Sequence, residues 1–141
     1  MSIQAVLLPV FVQVGLTFVL LFWMASVRTA SIRRGEVKIR DIALRQPAWT
    51  EHATNIGNAF HSQLEVPLLF YVLVILALAA RKADLLFVIM SWLFVVSRIV
   101  QAAIHTGSNN VPRRFYAYAV GVIVLLLMWI IFAIRVLLGL G

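Results

Sequence analysis

Two ionisable residues stand inside long apolar stretches of this chain, Glu65 and Arg98. A charge in hydrocarbon costs at least ~2.5–3.5 kcal/mol on insertion scales, so such groups face a bundle interior or a wet cavity and point to function by default. Each has polar company at helical spacing. Asn58, His61 or Ser62, and Glu65 share one face at i, i+3/i+4 and i+7. Arg98, Gln101 and His105 do the same, and Arg114 and Tyr118 lie four apart with Arg113 and Tyr116 beside them. Set on neighbouring antiparallel helices, these three stripes converge at one end of a bundle. The opposite half of each helix is nearly featureless Leu, Val, Ile, Ala and Phe. That asymmetry predicts a polar pocket open to one face rather than a channel through the membrane.

Cations dominate this set. Arg98, Arg113 and Arg114, with Arg28 or Arg33, outnumber Glu65, which suits a small ligand carrying carboxylates, while Glu65 suits an ammonium group. A molecule with two carboxylates and one amine fits, and glutathione is such a molecule. An arginine near a helix N-terminus, as Arg114 is placed, would stabilise a developing thiolate, because side-chain charge and helix dipole favour the same anion. A thiol with its pKa lowered in this way needs no separate general base. Pro67 cannot donate to the carbonyl of Gln63, so a kink and a free acceptor are expected beside Glu65. The three histidines and five carboxylates show no standard metal-ligand spacing, so no metal is expected. No nucleophile motif of a Ser-His-Asp hydrolase is present.

The same residues also admit a structural reading. Glu65 and Arg98 form an opposite-charge pair that only fixes helix register. Arg113 and Arg114 are ordinary basic flanks, and Trp49, Trp92, Tyr116 and Tyr118 are an interfacial belt. On that reading the protein is a non-catalytic membrane protein whose polar cluster binds lipid headgroups or fixes an oligomer.

The elements that must position these residues follow from composition. Of 141 residues, 63% are apolar and 12% charged, against a usual ~25% charged in soluble chains, and there is no cysteine. So much apolar surface excludes a disordered chain and requires the bilayer as solvent. Four spans are expected, at 3–27, 54–80, 85–105 and 114–140, in one all-α antiparallel bundle forming a single domain. The first is too long for a signal peptide and has no basic residue before it; Pro9 marks a kink. Residues 28–53 read as a basic loop, punctuated by Gly35 and Pro47 and holding a short interfacial helix. Thr50 or Thr54 caps the second helix. Arg81, Lys82 and Asp84 make a tight second connection, and His105–Pro112 a short third one.

The net charge of +7 then reads as topology. Connections one and three carry eight Lys/Arg against three (Arg81, Lys82 and Arg135) on the other side, which places those loops in the cytoplasm and both termini opposite. Nucleic acid is not an expected partner; membrane lipids are, with loop one near anionic headgroups.

Two segments also resemble a known family. The stretch Asn58-Ala-Phe-His-Ser-Gln-Leu-Glu65-Val-Pro67-Leu-Leu-Phe-Tyr71 is similar to the second-helix signature of the MAPEG family (membrane-associated proteins in eicosanoid and glutathione metabolism), most like its bacterial members. The stretch from Arg98 through His105 to Arg114 resembles the family's third-helix end and third connection. The resemblance implies a homotrimer of four-helix subunits in a bacterial inner membrane. It implies glutathione bound between neighbours near the cytoplasmic side, and transfer to, or reduction of, a lipophilic electrophile. It further implies that Glu65 holds the glutathione amine, that Arg98 is the site's third-helix arginine, and that Arg114 stabilises the thiolate. Tyr118 resembles a ligand-contacting tyrosine, and Arg28 or Arg33 the arginine at the end of helix one. Asn58 and Ser62 depart from the eicosanoid branch, which carries arginine and asparagine there; the likeness to bacterial members implies a substrate other than an eicosanoid.

Overall fold

A computed structural model of the chain describes residues 2–35, 50–107 and 111–139. It is all-helical: α1 (Ile3–Arg33), α2 (Glu51–Ser62), α3 (Val66–Ala79), α4 (Leu85–Thr106) and α5 (Val111–Leu137). Taken together, α2 and α3 make one span, so four helical stretches are long and apolar enough to cross a membrane. They run up and down as an antiparallel bundle. α4 is its hub, packed against α1, α2 and α5, and half of its apolar window is buried, against 17% for α5. The exposed faces are large hydrophobics such as Phe11, Phe22, Ile75, Val96 and Ile123, the surface a lipid solvent accepts.

Helix ends follow their local chemistry. Ser2 caps α1 by accepting from Ala5 N at 3.2 Å. The helix outruns its expected end at residue 27 and carries Arg28 and Arg33 within it, because nothing breaks the pattern before Gly35. Gly35 takes φ +74°, the left-handed turn that closes a helix with little strain for glycine. Glu36–Trp49, on which the interfacial helix and the Pro47 turn were placed, lie outside the described residues, as do Ser108–Asn110. Thr50 is the cap of α2, accepting from Ala53 N at 3.3 Å. Asp84 caps α4, accepting from Phe87 N at 3.0 Å.

The tight second connection is a Schellman turn. Lys82 N donates to Ala77 O at 2.9 Å and Arg81 N to Leu78 O at 3.2 Å, with Arg81 at φ 58° in the place glycine usually takes.

The expected kink at Pro67 is a full break. Residues Gln63–Glu65 leave the helix and α3 restarts at Val66, with the proline in its first turn where its missing N–H costs nothing. Within the break, i→i−3 bonds replace the helical ones: Gln63 N to Phe60 O at 2.9 Å and Leu64 N to His61 O at 3.0 Å.

The apolar core fills the half of the bundle away from this break's polar side. Phe70 and Phe94 stack at 4.9 Å, and Val6, Leu73, Phe87, Val95, Leu125 and Met128 pack with them. At the other end only Leu20, Ala59 and Ala102 form a small apolar cluster, and the two alanines let α1, α2 and α4 approach closely beneath the polar stripes.

Candidate functional site

The three stripes do meet. They line one pocket of about 430 Å³ at the end of the bundle that carries connections one and three. α2 and the break contribute Asn58, His61, Ser62 and Glu65; α4 contributes Gln101 and His105; α5 contributes Arg114, Phe115 and Tyr118. His61 lies at the rim, its ring 5.3 Å from Phe60.

Arg98 lies behind this lining. It is 1% exposed, which is unusual for any arginine and more so in a membrane span. Its Nη2 donates to Ser62 O at 2.9 Å and to Ser62 Oγ. Its guanidinium carbon lies 5.9 Å from the Tyr118 ring centre, within cation–π range. The expected ion pair with Glu65 does not form. The break turns the carbonyl and hydroxyl of Ser62 toward the guanidinium, while Glu65, at φ −92° and ψ −92°, is exposed at the pocket.

Several buried polar atoms here make no hydrogen bond among the described residues: Arg98 Nε and Nη1, Gln101 Oε1, and both ring nitrogens of His105. Gln101 and His105 are only 6% and 7% exposed and both line the pocket. Such atoms cost about 1–3 kcal/mol each when unsatisfied. Those of Gln101 and His105 lie in the pocket lining, where a polar ligand could meet them, and those of Arg98 lie behind it.

Three expected site residues lie elsewhere. Arg28 points between α1 and α2, where its Nη2 would be 3.1 Å from a side chain added at Gly57. Arg33 lines a separate groove along α1 with Ser26, Thr29 and Arg34. Arg113 is exposed and outside the pocket, because consecutive helical residues point ~100° apart and Arg114 takes the inward direction. The structure thus separates the two adjacent arginines, which spacing alone left equivalent.

Phe115 was missed, since an aromatic at a helix start reads as an interfacial residue. The pair Gln13–Gln63 was missed too: Gln13 Nε2 donates to Gln63 Oε1 at 2.8 Å, both residues buried. A lone glutamine in an apolar run was the available signal, and its partner lies fifty residues away.

Chemically, the pocket combines a guanidinium at the first turn of α5, a second one buried behind its wall, and one carboxylate.

The model of the MAPEG family matches residues 6–134, which spans all four membrane helices. The comparisons with curated proteins and with solved structures give no match.

Proposed function

The chain belongs to the MAPEG family, and on that premise we propose that it is a membrane glutathione transferase or peroxidase acting on a lipophilic electrophile. The observation that carries this reading is the single pocket in which Glu65, Arg114, Gln101, His105 and Tyr118 converge from three elements. Its donors and acceptors suit a peptide with carboxylates and an amine. Glu65 would hold the ammonium group. Arg98 Nε and Nη1 are donors for a carboxylate, and Gln101 Oε1 accepts from an amide. His105 offers a donor and an acceptor, and Asn58, His61 and Ser62 add polar contacts at the rim. When bound, glutathione supplies a thiol whose deprotonated sulfur attacks an electrophilic carbon or reduces a peroxide.

Arg114 is the residue to which we assign the chemistry. It sits in the first turn of α5, where the helix dipole adds to its charge, so it favours a thiolate over a thiol. Phe115 and the exposed apolar helix faces give a bilayer-borne electrophile a route to the same wall. In the homotrimer we propose, Arg33, exposed at the end of α1, is available to a neighbouring copy's pocket. The basic residues of connections one and three support a cytoplasmic orientation of this end, and the likeness to bacterial members is the ground on which we propose an inner-membrane location.

The test is titration of the purified protein with glutathione, followed at the thiolate absorbance. A saturable thiolate signal is expected, lost in Arg114→Ala and retained in Arg113→Ala. No signal in the parent protein, or an equal signal in Arg114→Ala, would falsify the assignment. An ordered lipid phosphate at the pocket in place of glutathione would favour the non-catalytic reading.

A further inference from the structure

The break in the second span poses a problem of its own. Residues Gln63–Glu65 leave the helical path inside a stretch, Glu51–Ala79, that is long and apolar enough to cross a membrane. Their backbone amides are met by tightened turns, Glu65 N reaching Ser62 O at 3.4 Å. Those turns alone do not say which way the break faces. That direction comes from α1.

Gln13 is 0% exposed, and a buried amide is costly unless bonded. Its Nε2 donates to Gln63 Oε1 at 2.8 Å, and Gln63 Nε2 donates in turn to Ala59 O at 3.0 Å. One turn along α1, the Thr17 hydroxyl donates to Gln13 O at 3.0 Å, a bond within α1 itself. Gln13 therefore ties α1 by a side-chain bond to the first residue of the break. It does not line the pocket. The held segment contains Gln63, one residue after Ser62, which accepts both bonds from Arg98, and two residues before Glu65.

We infer that Gln13 is a positioning residue. From outside the site it locks the break so that Ser62 meets Arg98 and Glu65 meets the pocket. The consequence for glutathione rests on the proposed function; the fixing of Glu65 does not.

The chain has no cysteine, so Glu65→Cys introduces a unique thiol. Its labelling rate by a charged, membrane-impermeant thiol reagent, on the full chain in lipid vesicles, reports how Glu65 is presented. The comparison is with the same chain carrying Gln13→Leu and Gln63→Leu together. Removing both amides leaves neither orphaned, so the thermal midpoint should hold. The labelling rate should fall about fivefold, the factor set by one hydrogen bond of ordinary net strength. With Glu65 in place, glutathione affinity of the double variant should weaken by about the same factor. An unchanged labelling rate overturns the inference, whatever happens to glutathione, because the pair is then only packing. A changed labelling rate in a protein that binds no glutathione upholds the inference and removes the functional reading instead. Should the double variant melt early, Gln13→Leu alone and Gln63→Leu alone, each in the Glu65→Cys chain, decide. Positioning requires both to slow labelling, and parental rates in both would overturn it.

Discussion

The two ends of this bundle treat their polar groups in opposite ways. At the end of the second connection, Arg135 Nη1 pairs with Asp84 Oδ2 at 2.7 Å, and the other oxygen of Asp84 caps α4. The Schellman turn at Arg81 and Lys82 closes the backbone of α3. Trp129 Nε1 is buried there without a partner, but it is one neutral donor on a ring packed 6.4 Å from Phe132. At the other end, a buried guanidinium, a buried amide and a buried imidazole leave five atoms unsatisfied beside a cavity. Polar groups that answer one another hold a fold together. Polar groups kept from water and left unanswered are held ready for something else, and the protein bears their cost in stability.

Arg98 gives the largest expected effect, because it is the sharpest case of that cost. Arg98→Met replaces a cation that has two unmet nitrogens with an apolar chain of similar reach. Replacing a buried ion with a well-packed apolar side chain is often neutral or stabilising. The thermal midpoint in detergent should therefore stay level or rise. Glutathione affinity should fall tenfold or more, since hydrogen bonds to a charged group contribute about 1.5–3 kcal/mol. The reverse pattern, a large loss of stability with binding intact, would make Arg98 a scaffold residue like Arg135 and dissolve the contrast between the ends.

Gly121 tests the seam between the two regions. A Cβ there would lie 2.7 Å from Ser97 Oγ and 3.9 Å from Arg98 Cδ, so α5 meets α4 with no room beside the buried arginine. Ser97 cannot yield easily, since its hydroxyl is held by Phe94 O at 2.6 Å. Gly121→Ala should cost about 1–3 kcal/mol, the usual range for overpacking, read by thermal unfolding. Adding Ser97→Ala should reverse it. The new Cβ then meets the Cβ of residue 97 at 3.7 Å and Arg98 Cδ at 3.9 Å, both ordinary contacts. Alanine also favours the helix over glycine by roughly 1 kcal/mol. A double variant as unstable as the single one would mean that the backbone itself, not the hydroxyl, sets the spacing.

Much of this arrangement is legible in the sequence. Four apolar runs, a threonine cap at 50 or 54 and the stripes Asn58–Glu65, Arg98–His105 and Arg114–Tyr118 depend on local spacing, which a chain displays directly. What is not legible depends on contacts between distant residues. Glu65 and Arg98 match in depth and sign, yet the break rotates Ser62 into the place of the carboxylate. Arg28 and Arg33 have the right charge at the right end, but helix phase sends one to Gly57 and the other to a separate groove. Gln13 shows no pattern until its partner at position 63 is known. Arg81 in a left-handed turn has no sequence signal, because the turn is imposed by two short bonds on a residue that ordinarily avoids it.

Asp84 offers the smallest effect and the cleanest control, because its two oxygens do two separable jobs. Oδ1 accepts from Phe87 N at 3.0 Å, and Oδ2 pairs with Arg135. Asp84→Ala removes both: about 1 kcal/mol for the cap and up to ~1 kcal/mol for an exposed pair. Asp84→Asn keeps a side chain that caps as well as aspartate and discards only the charge, so it should cost less than ~1 kcal/mol. Thermal midpoints should rank parent, Asn, Ala, and the gap between parent and Asn should close in high salt, where an exposed pair is screened. Glutathione binding should be the same in all three, since about 25 Å of α4 separates Asp84 from Gln101, the nearest pocket residue on that helix. If Asp84→Asn were as damaging as Asp84→Ala and also weakened binding, the charge at this end would be felt at the pocket, and the division of the bundle into a self-satisfied end and a ligand-ready end would fail.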